Sequence, residues 1–398
     1  MILKRPCDPS GRLAKVSDVL GGQCTIRTYT FNNASDRTNL TTYNPAVDGS
    51  CQQSTPAASA TWTYDTAGRT TSVGYVYDTL GRTTTLPALD TQTPTGGDLA
   101  GTYHVNDLVH SLTQNGVTVT YALDTDNQRV RQWSDGASIH VNHYSTNSDR
   151  PSWIDDGNGI SGRSVDGTGS MAAIVVATGG TSSVGWQLTN LHSDVVATVV
   201  DSNVGLSATS EGGEYGILRN QTQAASLRYA WLGSLRRAAD NPGGVLLMGV
   251  RLYNPSTGRF LSVDPVDSGS CGRYEYVCGD PGNSFDPNGR SSVRFHWWGV
   301  EERYTRSETR LISLIFFEIP GAFLGGFSGT RAKNFFDTIK KIGLVRALLG
   351  LSWSVVFGLT AGMAVWIGIT AYWGYQTGRC LRLNHFYFGF LYPSLYNC

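Results

Sequence analysis

Charge is scarce in this chain. Of 398 residues, 31 are Lys or Arg and 31 are Asp or Glu, which is 16% of the chain and sums to zero. A soluble domain averages about 25% charged residues. The balance excludes a uniformly basic nucleic-acid binder, and the apolar content excludes a highly charged disordered chain. Lysine is scarcer still: up to residue 290 only Lys4 and Lys15 occur, so the positive charge there is nearly all arginine. Arginine suits planar hydrogen bonding within turns. The seven cysteines include no Cys-x-x-Cys and the seven histidines are scattered. Zinc-ligand spacing is therefore absent, and no metal or cofactor is expected. No Gly-rich phosphate loop followed by Lys-Ser/Thr is present. The first residues, Met1 to Cys7, hold no apolar run of signal-peptide length.

What is abundant points elsewhere. Glycine numbers 47, threonine is frequent and aromatics reach 11%. Together they read as many short strands joined by tight turns. The charge is also unevenly placed. Residues 1–290 carry 20 basic and 26 acidic side chains, net −6, whereas residues 291–398 carry 11 and 5, net +6. Such a step marks a boundary between pieces with different roles. Cys24–Cys51 and Cys271–Cys278 pair as disulfides if the chain is exported; otherwise they are small core residues.

A short unit recurs. Tyr64-Asp65-Thr-Ala-Gly68-Arg69 is followed 13 residues later by Tyr77-Asp78-Thr-Leu-Gly81-Arg82. Cys7-Asp8-Pro-Ser-Gly11-Arg12 has the same frame, and Phe31 to Arg37 and Leu123 to Arg129 are looser copies. Each reads as a hairpin tip. The aromatic ends a strand, Asp or Asn bonds the backbone of the turn it opens, and Gly, Asn or Ser takes the positive-φ position. The Arg then bonds the Asp or nearby carbonyls. Units this small do not bury a face alone and must stack.

These units resemble the tyrosine-aspartate (YD) repeats of bacterial RHS proteins, which are related to teneurins and to insecticidal toxin-complex proteins. Downstream, Asn190 to Val199 is similar to the family's His-x-Asp strand region. The stretch from Arg251-Leu-Tyr-Asn-Pro to Ser262-Val-Asp264-Pro265, with Tyr274 to Arg290 and its final Asp286-Pro-Asn-Gly, is similar to the RHS repeat-associated core. The resemblance implies a mainly β fold: a partial spiral shell of YD-repeat hairpins, then a hydrophobic, mostly α-helical C-terminal tail. The implied division is residues 1–240 as repeat shell, 241–290 as core and 291–398 as a variable region. It also implies that the chain is part of a longer shell protein, whose remainder would be a partner.

In shells that release their cargo, an Arg and two Asp of the core act in autocleavage after the final Asp-Pro-x-Gly. By resemblance these are Arg251, Asp264 and Asp286, with the cut after Arg290. Two carboxylates sharing a proton can activate water and protonate the leaving amine. The alternative is that both Asp cap turns and Arg251 buttresses them. The sequence departs from the family pattern at Val266-Asp267-Ser268 and at Arg290.

The tail has its own signature. Ala347 to Tyr375 is an uncharged run that includes Gly358, Gly362 and Trp366. As one helix it would span about 43 Å, more than a ~30 Å hydrocarbon layer. Gly358 and Gly362 form a small-x-x-x-small pair. A second apolar segment, residues 311–329, is broken by Glu318 and Pro320. Three readings stay open for this tail: a membrane-active toxin held in the shell, a permanent anchor, or an apolar plug that never meets lipid. The first brings membrane lipid and an immunity protein as partners. The second makes the chain a cell-surface adhesion protein that contacts carbohydrate. Each places the chain outside the cell or at its surface, and nucleic acid is not expected as a partner.

Overall fold

The computed structural model describes residues 2–4, 6–126, 129–146, 148–167, 171–202, 205–224, 227–265, 271–290, 293–296, 299–304, 306–313, 361–386 and 391–397. It is mainly β, with large antiparallel sheets, and divides into two compact units. The first comprises Met1–His143, Arg150–Asp264 and Ser270–Gly289; the second comprises Tyr144–Asp149, Pro265–Gly269 and Arg290–Cys398.

Two meanders build the first unit. Strands β1 (Ile2–Lys4), β2 (Lys15–Leu20), β3 (Gln23–Phe31), β4 (Arg37–Tyr43) and β5 (Ala58–Thr61) form a five-stranded sheet in chain order. A thirteen-stranded sheet follows, also in chain order. Its first half is β6 (Val76–Tyr77), β7 (Thr83–Leu86), β8 (Leu99–Tyr103), β9 (Val109–Gln114), β10 (Val117–Leu123) and β11 (Val130–Ser134). It continues with β12 (Ile139–His143), β13 (Trp153–Gly157), β14 (Ile160–Asp166), β15 (Met171–Thr178), β16 (Thr181–Thr189), β17 (Val195–Val200) and β18 (Ala208–Thr209). Within each sheet every strand pairs with its sequence neighbours, the usual outcome for consecutive strands, even across the long connections 44–57 and 87–98.

The core follows from period-two alternation on β10, whereas on β9 a register shift between Ser111 and Val109 brings Val109 and Leu112 to the same face. On β9 and β10, Val109, Leu112, Val119 and Tyr121 are buried, with Leu86 and Leu99 beside them. Val245, Leu252 and Leu261 cover that face. They belong to or flank a small sheet of β19 (Leu246–Met248), β20 (Arg251–Asn254) and β21 (Arg259–Phe260). A short strand β22 (Ser284–Phe285) comes next in the chain. The disulfide Cys24–Cys51 ties β3 to the loop after β4, and a second joins Cys271 to Cys278.

A mostly helical tail is not clearly shown in the second unit. Its described part holds antiparallel strands β23 (Val293–His296), β24 (Gly299–Arg303), β25 (Arg379–Phe386) and β26 (Leu391–Asn397), with helices α1 (Arg306–Ser313) and α2 (Ala361–Gln376). Ile312, Ile367, Ala371, Leu381, Leu383 and Leu391 form its core with Tyr304. On β25, Leu381 and Leu383 stand on either side of Arg382, an alternation that buries one face of a strand. No helix among the described residues is long and apolar enough to cross a membrane. Helix α2 has 16 residues, about 24 Å of helix, and contains Gly362. Its Trp366 and Trp373 are exposed, and Trp366 meets Tyr392 edge-on. The Tyr375 ring lies under the Arg310 guanidinium at 4.7 Å. Ala347, Gly358 and residues 314–360 lie outside the described residues.

Candidate functional site

The repeat turns are built as their residue types require. Around Asp65, the backbone N–H of Asp65 donates to Arg69 O at 3.0 Å and that of Gly68 donates to Asp65 O at 3.0 Å. Asp65 Oδ1 accepts the backbone N–H groups of Ala67 and Arg69, both at 2.9 Å. Oδ2 accepts Arg69 Nε at 2.7 Å. The turns at Asp8–Arg12 and Asp78–Arg82 repeat this pattern. Gly11, Gly68 and Gly81 have φ of 81°, 78° and 80°, the left-handed region that glycine enters without penalty. In the looser copy at Asn32–Asp36, Ser35 takes the positive-φ place and Asp36 the arginine's, accepting Asn32 Nδ2 at 3.0 Å.

Further copies went unnoticed in the sequence, among them Ala46–Ser50 with Gly49 at φ 82°. Asn190–Asp194 forms the same turn as Asn32–Asp36, with Ser193 at φ 70°. His104–Leu108 and Gly213–Ile217 close with the same pair of backbone bonds, with Asp107 and Gly216 at positive φ. The detectable signal was the residue three after the turn's start, always one that tolerates left-handed backbone.

The turns are also cross-linked. Arg12 Nη1 donates to Asn32 O at 2.7 Å, and Arg82 Nη1 donates to His104 O at 2.9 Å. Tyr64 Oη donates to Arg37 O at 2.6 Å. The segment 241–290 closes over them. Arg259 pairs with Asp36 at 2.6 Å, donates to Gly68 O and stacks on Tyr64. Tyr274 Oη donates to Gly81 O at 2.6 Å, and the backbone N–H of Thr83 donates to Leu261 O at 2.7 Å.

Within this closing segment the structure brings Arg251, Asp264 and Asp286 together. Arg251 Nη2 lies 3.2 Å from an oxygen of each carboxylate. The site is dry: the side chains are 1%, 6% and 6% exposed. The guanidinium sits 3.5 Å over the Phe260 ring. Arg251 Nε and Nη1 have no hydrogen-bond partner among the described residues. Burial pushes the Arg251 pKa down against the pull of Asp286 and Asp264. Two carboxylates thus face one guanidinium in a site almost closed to water.

Neighbouring residues hold this centre. The backbone N–H of Asp264 donates to Arg273 O at 2.8 Å. The backbone N–H of Asp286 donates to Tyr276 Oη at 3.3 Å, and Asp286 Oδ1 accepts the N–H of Asn288 at 3.3 Å. Buried Glu275 accepts the backbone N–H groups of Cys278, at 2.7 Å, and Gly279. Burial raises its carboxyl to about 8 even though those two donors oppose the shift. Cys271, Glu275 and Cys278 cluster in the manner of a ligand set, but both sulfurs are joined in the disulfide.

No family model matches the chain, and no curated protein does. Its fold is shared with solved structures of the TcdB2-TccC3 toxin complex. The TcdB2-TccC3-Cdc42 crystal structure aligns with a TM-score of 0.53 and 15% identity, over 72% of this chain and 15% of that one. TcdB2-TccC3 aligns at 0.53 and 16%, over 72% and 16%. TcdB2-TccC3 without its hypervariable C-terminal region aligns at 0.52 and 16%, over 72% and 15%. This chain therefore spans about one-sixth or less of the length of the chains it resembles.

Proposed function

We propose that this chain is the C-terminal part of an RHS-type shell protein that encloses or displays its own C-terminal region in contact-dependent bacterial competition. The observation that carries the reading is the fold shared with the TcdB2-TccC3 structures over 72% of the chain. The repeated turns, clipped by the segment 241–290, supply a wall and a closing element. The tail is the delivered piece, with membrane lipid as its target and an immunity protein as its antidote. Export or surface display is part of the same proposal.

The first test expresses residues 291–398 alone in bacteria. Growth arrest with loss of membrane potential supports delivery of a membrane-active tail. Harmless membrane insertion favours instead a carbohydrate-contacting adhesion protein anchored through 347–375.

A second reading concerns the buried centre and is favoured by the convergence of two carboxylates on Arg251. The chain cuts itself after Arg290. One carboxylate takes a proton from water as the oxygen adds to the Arg290 carbonyl. The other, protonated, gives its proton to the amide nitrogen as the C–N bond breaks. Arg251 keeps one carboxylate ionised. Intact mass measured over a long incubation should show two fragments, and Asp264→Asn should abolish them. A single 43 kDa species would overturn the reading.

A further inference from the structure

The Arg251 centre is held from outside by one short loop. Residues 271–278 form a ring closed by the Cys271–Cys278 disulfide. From inside that ring, Arg273 O accepts the backbone N–H of Asp264 at 2.8 Å. From the same ring, Tyr276 Oη accepts the backbone N–H of Asp286 at 3.3 Å. The backbone N–H of each aspartate that flanks Arg251 is thus held by a residue bracketed by the same two cysteines.

The loop is not at rest without its constraint. Val277 has φ 47° and Cys278 φ 56°. For a β-branched residue the left-handed region is a true outlier, which persists only where surroundings impose it. Glu275 helps impose it by accepting the N–H groups of Cys278 and Gly279. Tyr276 is buried and packs against Tyr253 at 4.6 Å, Trp231 at 5.5 Å and Phe260 at 5.8 Å. Phe260 in turn carries the Arg251 guanidinium. Cys271 is exposed, so the bond is within reach of a solvent thiol.

We infer that the Cys271–Cys278 ring is the positioning element of the carboxylate pair, with Tyr276 as its key positioning residue, and that the centre is therefore sensitive to thiol redox state. This rests on the self-cleavage reading only for its catalytic consequence. Reduction consumes a dithiol: two electrons and two protons pass to the cysteines, and the dithiol leaves as its own disulfide. Opening the ring lets Val277 and Cys278 relax and loosens the holds on Asp264 and Asp286. In an oxidising compartment the centre is assembled; in a reducing one it is slack.

The test uses the full chain, oxidised and dithiol-reduced, beside Cys271→Ser/Cys278→Ser and Tyr276→Phe. The first readout is hydrogen exchange at the amides of Asp264 and Asp286. Reduction should speed both by about tenfold or more, with Ile160–Thr189 unchanged as an internal control. The double-serine variant should match the reduced chain in either buffer, which separates this disulfide from Cys24–Cys51. The second readout is the pH profile of fragment formation. Cleavage should fall by about a hundredfold on reduction, the size expected for a displacement near 1 Å. Tyr276→Phe, which keeps the ring stacking but not the hydroxyl, should shift the pH profile of the oxidised chain. Equal exchange in oxidised and reduced chains overturns the inference, even if cleavage proceeds. Redox-dependent exchange with no cleavage in any state keeps it and overturns self-cleavage alone.

Discussion

Asp65–Arg69 and the Arg251 centre use the same two residue types for opposite purposes. The first pair is local, four residues apart, and partly wet, with side chains 44% and 26% exposed. Its Asp works mainly on the backbone, and the Arg closes back on that Asp within the turn. The second joins residues far apart in the sequence in a site almost closed to water, where one cation serves two carboxylates. Solvated pairs contribute about 0–1 kcal/mol, whereas breaking a buried pair costs about 3–5 kcal/mol. Charge in the repeats shapes the chain; charge in the closing segment commits it to one arrangement.

The sharpest way to break this contrast is Arg251→Met. It strands two buried carboxylates and should lower unfolding stability by about 3–5 kcal/mol. Adding Asp264→Asn and Asp286→Asn should recover much of the loss. A urea midpoint unchanged by Arg251→Met alone would erase the distinction.

Glu275 tests the closing segment by pH. Its folded carboxyl is raised to about 8, above an unfolded value near 4.3. Between those values the folded chain holds the extra proton, so stability falls as pH rises. The slope should approach about 1.4 kcal/mol per pH unit. Melts of Glu275→Gln over the same range should be flatter by that amount.

Glycines offer a third comparison. A Cβ on Gly249, at φ +61°, would meet Asn288 O at 2.3 Å, a backbone atom that cannot swing away. Gly249→Ala should cost about 3 kcal/mol. Gly11, at φ +81° in a repeat turn, faces open space, and Gly11→Ala should cost about 1 kcal/mol for backbone alone. Equal thermal shifts would contradict the crowding of the closing segment.

The smallest effect belongs to Arg69→Ala, whose exposed ion pair should leave the thermal midpoint almost unchanged. Its pH counterpart concerns Asp8, Asp65 and Asp78. Burial pushes each carboxyl up, but the backbone N–H and guanidinium of its arginine hold it below the usual range. Their contribution is present above about pH 4, the unfolded value, and is lost as pH falls through the depressed folded values. A small acid-side loss that shrinks in Asp78→Asn would show this.

Legibility in the sequence followed the same divide. The turns at Asp8, Asp65 and Asp78 were readable because every bond that makes them falls within five residues. The turn at Asn190–Asp194 carries the same Ser and Asp as Asn32–Asp36 but was missed because Val195, not an Arg, follows it. The Arg251 centre depends on long-range packing, which no spacing reveals; its residues came from resemblance alone. Tyr276 and Arg273 were missed because they act through a hydroxyl and a carbonyl on neighbouring backbone. In the tail, the uncharged run 347–375 dominated the reading, while the strand alternation of Leu381 and Leu383 around Arg382 was overlooked.

The strictly sequential order of the thirteen-stranded sheet has a mechanical consequence. Each strand is bonded only to the strands before and after it, so tension between Val76 and Thr209 loads one ladder at a time. The sheet should peel hairpin by hairpin at low force rather than shear at one high force. Ties from later segments interrupt this: Ala230 O holds the Val195 N–H and Arg228 pairs with Asp156, while Leu261 holds Thr83 and Tyr274 holds Gly81. Pulled from the β18 end, the wall should therefore resist first at Val195 and Asp156 and last at Thr83 and Gly81.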